Sequence, residues 1–80
     1  MRDLTVLYFA QLRDQRGVDR EALTTAATNP RELYQELAQH HGLTLPERSV
    51  AVAINEALVR WNAPLTTGDT VVFLPPVSGG

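Results

Sequence analysis

The stretch NPRELYQELAQHHG (residues 29–42) is the best-marked element of the chain and does most to decide its fold class. Asn29 is a good N-cap, Pro30 suits the first position of a helix, and Glu32 stands where a capping-box acid belongs. Gly42 ends the pattern. Apolar and aromatic side chains recur between them at helical spacing on one face: Leu33, Tyr34, Leu37, Ala38 and His41. The sequence therefore predicts one long amphipathic helix.

The segments on either side of this helix have the composition or the alternation of β-strands. They are LTVLYF (residues 4–9), VDREALT (18–24), SVAVAIN (49–55), ALVRW (57–61) and TVVFL (70–74). A short helical turn, AQLRDQRG, follows the first strand, and Gly17 can close it in a left-handed cap. The first strand is apolar on both faces, so we expect it to be central and covered on both sides.

This order of elements predicts an α+β fold in which one main helix packs across a mixed sheet of about five strands. With the short helix, this is the β-grasp, or ubiquitin-like, arrangement. Pro75 and Pro76 end the last strand because neither can donate a ladder hydrogen bond. We therefore expect one β-grasp domain over residues 1–74 and an extended, flexible tail over residues 75–80.

Composition excludes several classes of function. The chain has 80 residues, a net charge of −2 and no cysteine, and all 7 of its basic residues are scattered arginines. A nucleic-acid partner would require clustered basic residues, and disulfide scaffolds, thiolate metal sites and cysteine nucleophiles require thiols. His40 and His41 are adjacent on a helix, which makes a poor metal chelate, so we expect no metal site. No membrane span or signal peptide is recognisable, which favours the cytoplasm.

Most charged and aromatic side chains have plain structural interpretations. Asp14, Asp19 and Glu21 are predicted to form a solvated acidic rim, and Arg13 and Arg16 to face solvent on the short helix. Tyr34 and Trp61 could anchor an interface, but large aromatic residues in so small a domain belong more often to its core. No nucleophile has a base beside it.

The end of the chain, LPPVSGG, carries the strongest functional signal. The proline pair favours a stiff start that projects the tail away from the sheet. Gly79 and Gly80 have no Cβ, so they can enter a slot too narrow for a side chain. Adenylation of the terminal carboxylate would let a sulfur donor attack it and leave a thiocarboxylate. The alternative is a frayed end without function.

Three segments, VLYFAQLRDQRG, AVAINEALV and PLTTGDTVVFLPPVSGG, resemble the small subunits of molybdopterin synthase, which are sulfur carriers of molybdenum cofactor biosynthesis. The resemblance implies that Gly80 is adenylated and becomes the thiocarboxylate, with Gly79 as its slim neighbour. It implies that the partner grips the rest of the tail: Pro75, Pro76, Val77 and Ser78. It also implies that Phe9, Arg13 and Phe73 lie on or near the docking face, although Phe9 and Phe73 fit a core position equally well.

The same resemblance implies two protein partners. A ubiquitin-activating-like adenylyltransferase would form the glycyl adenylate, and the large synthase subunit would receive the tail in a heterotetramer. The sulfur would then pass to cyclic pyranopterin monophosphate. The chain would hold no cofactor and would act as a non-catalytic sulfur donor within a sulfurtransferase.

Other interpretations are compatible with the same tail. They are a sulfur carrier for thiamine thiazole synthesis or tRNA thiolation, a ubiquitin-like protein modifier, and an interaction module whose tail does nothing. Thiamine-type carriers usually lack the FAQLR segment and the PPV lead-in, and both are present here.

Overall fold

The computed structural model describes residues 1–76. Its elements, in chain order, are β1 (Arg2–Tyr8), α1 (Ala10–Arg16), β2 (Arg20–Thr25), α2 (Pro30–His41), a 3-10 turn (Glu47–Ser49), β3 (Ala51–Ile54), β4 (Ala57–Val59) and β5 (Thr70–Leu74). β2 starts two residues later than the sequence predicts, because Gly17 turns the chain in the left-handed region (φ 88°) and Val18 stays exposed outside the ladder.

The five strands form one mixed sheet in the order β2-β1-β5-β3-β4. β1 and β5 run parallel, and the other neighbours are antiparallel. The first and last strands of the chain therefore lie side by side in the middle of the sheet. The predicted β-grasp fold is confirmed, and β5 ends at Leu74, directly before the proline pair. The division into a domain and a tail at that residue stays a prediction.

α2 begins and ends where its sequence indicates. The backbone N–H of Glu32 donates to the Asn29 side chain at 2.9 Å. The Glu32 carboxylate accepts from the backbone N–H of Thr28 at 2.7 Å, one residue before the N-cap. Gly42 closes the helix at φ 69°. Local capping fixes both ends of the helix before any tertiary contact is considered.

One face of the sheet, which we call the inner face, packs against the helices and forms the core. The core side chains include Leu4, Val6, Tyr8, Leu12, Leu33, Leu37, Val52, Val71 and Phe73. Tyr34 meets Trp61 edge-on at 5.5 Å between ring centroids, and Trp61 stacks on Phe73 at 5.9 Å. Tyr34 is buried and Trp61 half-buried, which confirms the structural interpretation of both.

No helix within residues 1–76 is both long enough and apolar enough to span a lipid bilayer.

Candidate functional site

The root of the tail lies at the middle of one end of the sheet, where β5 finishes. β5 is the middle strand of the sheet, so the chain leaves it between β1 and β3. Pro75 is half-buried and Pro76 is exposed, so the chain reaches the surface within two residues of the strand. The other tail residues expected to function, Val77, Ser78, Gly79 and Gly80, lie outside the described residues.

The sheet face opposite the helices, which we call the outer face, is apolar along its middle row. Cross-strand partners in that row are Leu7, Val72, Ala53 and Leu58, one from each of β1, β5, β3 and β4. The buried leucines of α1 and α2, which are Leu12, Leu33 and Leu37, all belong to the inner-face core. Within residues 1–76 no helix covers the outer face, and Leu58 is 72% exposed.

The expectation that β1 is covered on both sides is therefore wrong for its outer side, although its central position is confirmed. A sheet with helices on one face buries only that face, so apolar residues on the other face must meet water or another protein. This mismatch is the sequence signal that could have identified the outer face. TVVFL and LTVLYF are apolar on both faces, while the sequence supplies one main helix.

The row nearest the tail continues the apolar surface. Phe9 follows β1 and is 45% exposed. Leu74, on the neighbouring strand, is half-buried, and its ladder partner Ala51 is exposed. After Phe9 the backbone turns sharply, since Ala10 has φ 49°, a conformation uncommon for a residue with a Cβ. This turn starts α1 beside the tail root.

Two of the three body residues expected on or near the docking face are accessible, and the third is not. Phe9 lies on the surface, and Arg13 is exposed on α1, 3.9 Å from the Asp14 carboxylate. Phe73 is 0% exposed and lies in the core. Strand alternation is the reason. Phe73 pairs with Tyr8 and Val52, which both point inward, so Phe73 points inward as well. The residues before and after it on β5 therefore face outward.

A depression of about 400 Å³ opens at the end of the outer face away from the tail. It is lined by Leu7, Val72, Thr70, Asn55 and Glu56. Asn55 fixes its rim, donating to the Asp69 carboxylate at 2.9 Å and accepting from the Thr70 N–H at 2.9 Å. Asn55 and Glu56 both have positive φ, 51° and 73°, as a two-residue type I′ hairpin turn requires.

A half-buried polar cluster holds α1 in place, and it corrects two expectations from the sequence. Arg16 donates two hydrogen bonds to Glu21, at 2.9 and 2.8 Å, and the Tyr8 hydroxyl donates to the same carboxylate at 2.5 Å. Glu21 is thus not part of a solvated rim, and Arg16 does not simply face solvent. The pair is separated by Gly17 and the turn into β2, and no helical or strand spacing in the sequence links the two residues.

This cluster is tuned for stability rather than reactivity. The hydrogen bonds from Arg16 lower the pKa of Glu21 despite its partial burial. Burial, together with the hydrogen bond to Glu21, raises the pKa of Tyr8 above its ordinary value. At neutral pH Arg16 and Glu21 therefore stay charged and the Tyr8 hydroxyl stays protonated, and the three groups tie β1, α1 and β2 together next to Phe9.

The described part of the chain, residues 1–76, offers no group of three or more His, Cys, Asp or Glu side chains arranged for a metal ion. The rings of His40 and His41 are 6.2 Å apart and nearly perpendicular. What the geometry provides is a folded body with an open apolar face and a last strand that ends next to that face. Such an arrangement can dock a protein and present the tail to it.

The pattern of the ThiS family matches residues 6–80. The molybdopterin synthase sulfur carrier subunits of Escherichia coli and Haemophilus influenzae are each 36% identical over 80 residues, which covers 96% of this chain and 99% of theirs. A solved complex of subunits 1 and 2 of molybdopterin-converting factor from Helicobacter pylori contains a similar chain. It is 29% identical with a TM-score of 0.68, covering 98% of this chain and 99% of that one.

Proposed function

The chain belongs to the ThiS family, and we propose that it serves as the sulfur carrier subunit of a molybdopterin synthase. The observation that carries the proposal is the end-to-end match with curated carrier subunits, 96% of this chain against 99% of theirs. The match to the family runs to residue 80, so it includes the terminal diglycine. Carriers of thiazole synthesis share the tail chemistry, but the curated relatives with 36% identity are molybdopterin synthase subunits.

The chemistry resides at Gly80. Its carboxylate attacks the α-phosphorus of ATP and releases pyrophosphate, giving a glycyl adenylate. A sulfide-level donor then displaces AMP from the carbonyl carbon and leaves a thiocarboxylate. A persulfide donor leaves an acyl disulfide instead, which a thiol reductant must cleave to give the same thiocarboxylate. No side chain of this protein has to act as acid or base, because the enzymes that bind the tail supply those groups. The cysteine-free composition is consistent with sulfur carried on the main chain.

The large synthase subunit is the partner that receives the loaded tail. In the Helicobacter pylori complex, subunits 1 and 2 of the converting factor are associated. Here the outer face provides the apolar docking surface, and the tail starts at its edge. The sulfur passes to cyclic pyranopterin monophosphate, and because a dithiolene needs two sulfur atoms, the carrier must be reloaded between transfers. We include in the proposal a heterotetramer of two small and two large subunits.

Activation requires a second partner, a ubiquitin-activating-like adenylyltransferase. Gly79 and Gly80 suit it because a chain without side chains can lie flat in a narrow channel that ends at a nucleotide. Pro75, Pro76, Val77 and Ser78 form the segment that each partner grips. Since loading consumes ATP, the proposal places the protein in the cytoplasm.

The direct test is the mass of the C-terminal fragment after incubation with the activating enzyme, ATP and a sulfur source. We expect one oxygen to be replaced by sulfur in that fragment. The fragment is measured because oxidation of Met1 changes the mass of the intact chain by nearly the same amount. A chain lacking Gly80 and a chain extended by one alanine are the controls, and both should remain unloaded while melting like the wild type.

A C-terminal fragment whose mass never changes would contradict the proposal. The rival carrier role has its own outcome: a loaded chain that binds a thiazole synthase and not the large molybdopterin synthase subunit. A protein modifier would instead appear in isopeptide linkage to lysines of other proteins.

A further inference from the structure

The outer face carries its charges unevenly. Arg20, on β2, is the ladder partner of Leu7 and therefore points to the same face as Leu7. Arg60 follows β4, two residues after Leu58, and continues the alternation of that strand onto the same face. Both arginines are exposed, and neither makes an ion pair or a side-chain hydrogen bond with any residue of the described range 1–76. They are cations with unused hydrogen-bond donors beside an apolar surface.

These two arginines stand at opposite edges of the apolar surface. β2 and β4 are the two edge strands of the sheet, separated by four inter-strand steps. At about 4.8 Å per step, the two side chains start about 19 Å apart across the sheet, and they stand one row apart along the strands. Arg60 continues the row nearest the tail, with Leu74 and Ala51, and Arg20 belongs to the middle row, with Leu7. The carboxylates of Glu56 and Asp69 lie at the other end of the face, next to the Asn55 turn.

We propose that Arg20 and Arg60 orient the large subunit by pairing with carboxylates it carries on both sides of the entrance that receives the tail. The inference rests on the proposed function and adds to it the residues that set the docking direction. The apolar rows alone would allow the partner to dock in either direction along the face. Cations at the rim of the tail row and the middle row, with carboxylates at the far end, favour the orientation that puts the tail at its entrance.

Exposed ion pairs contribute more to association rate and orientation than to affinity. The test is therefore the rate of association with the large subunit from the same organism, measured by stopped flow at about 0.05 M and about 0.5 M salt. The variants are Arg20→Gln, Arg60→Gln and the two combined. The matched control is Gln35→Glu with Gln39→Glu, exposed positions on α2, which change the net charge equally on the opposite side of the molecule.

At low salt we expect association to slow about threefold for each single variant and about tenfold for the double variant. The difference should disappear at high salt, and the α2 control should behave like the wild type. Arg20→Lys with Arg60→Lys should restore most of the rate. Melting curves should be unchanged for all variants, since every substituted side chain is exposed.

Two results would overturn the inference and leave the proposed function standing. In the first, the wild type binds and the double variant associates at the same rate. In the second, the double variant and the α2 control associate equally slowly. The second result would show that net charge matters and position does not. If the wild type does not bind the large subunit at any salt concentration, the proposed function fails together with the inference.

Discussion

The two faces of the sheet use similar amino acids for different purposes. On the inner face Phe73 and Val52 are 0% and 1% exposed, packed against the helices. On the outer face Val72 and Leu74, from the same strand as Phe73, are half-buried, and Leu58 is 72% exposed. The inner residues provide folding free energy. The outer residues are apolar beyond what the core requires, so they point to a protein partner.

The largest effect on stability should come from removing a side chain that is buried on the inner face. Phe73→Ala removes a fully buried ring that contacts Tyr34 and Trp61, and we expect a loss of about 4 kcal/mol in the free energy of unfolding. Urea denaturation followed by Trp61 fluorescence measures it. Val72→Ala, the adjacent outward residue, should cost about 1 kcal/mol. Equal costs for the two substitutions would erase the distinction between the faces.

The polar edge of the inner face should give the next largest effect. Glu21→Gln breaks the charged hydrogen bonds to Arg16, and we expect a loss of about 2 kcal/mol at neutral pH. The pKa of Glu21 is lower in the folded chain than its ordinary value, so its stabilisation is complete above that value. The stabilisation is lost as the pH falls through the folded pKa.

The free energy of unfolding should consequently fall more steeply with acid for the wild type than for Glu21→Gln, which has no carboxyl group at this position. Denaturation curves at a series of acidic pH values would show the difference. Asp14→Asn is the matched control, which removes an exposed carboxylate from α1. Parallel acid profiles for Glu21→Gln and the wild type would refute the role of this carboxylate.

On the outer face the expected effect moves from stability to binding. Leu58→Ala should change the free energy of unfolding by less than about 0.5 kcal/mol, because the side chain is mostly exposed. It should weaken binding of the large subunit by about 1 kcal/mol, through lost apolar contact at the interface. Gln35→Ala, on the exposed side of α2, should affect neither. Isothermal titration calorimetry with the large subunit measures the affinity of each variant. An affinity of Leu58→Ala equal to that of the wild type would place the interface elsewhere.

The smallest expected effect is a gain. Glu56 occupies a left-handed conformation that glycine adopts without strain, so Glu56→Gly should raise the free energy of unfolding by about 0.5–1 kcal/mol. Asn55→Gly is the matched comparison in the same turn. It should be destabilising, because it also removes the hydrogen bonds to Asp69 and Thr70. Thermal melts of both variants measure these two opposite effects. A Glu56→Gly chain that melts no higher than the wild type would contradict the expected gain.

Local signals were enough to predict the fold. The cap residues Asn29 and Gly42 define α2, and alternation defines most strands, so the β-grasp arrangement follows from the sequence. The face on which Phe73 lies could not be predicted from the sequence. TVVFL is apolar on both faces, so its pattern does not show which residues point toward the core. The Arg16–Glu21 contact was also out of reach, since it depends on how tightly the chain turns at Gly17 and not on any repeat.

The parallel pairing of β1 with β5 has a mechanical consequence. β5 is held on both sides, by β1 and by β3, and it leads directly into the proline pair. A pull on the C-terminus therefore loads both ladders in shear, so that many hydrogen bonds must break together instead of unzipping in sequence. In the proposed carrier role, a partner that pulls on the end of the chain would leave the body folded for the next transfer.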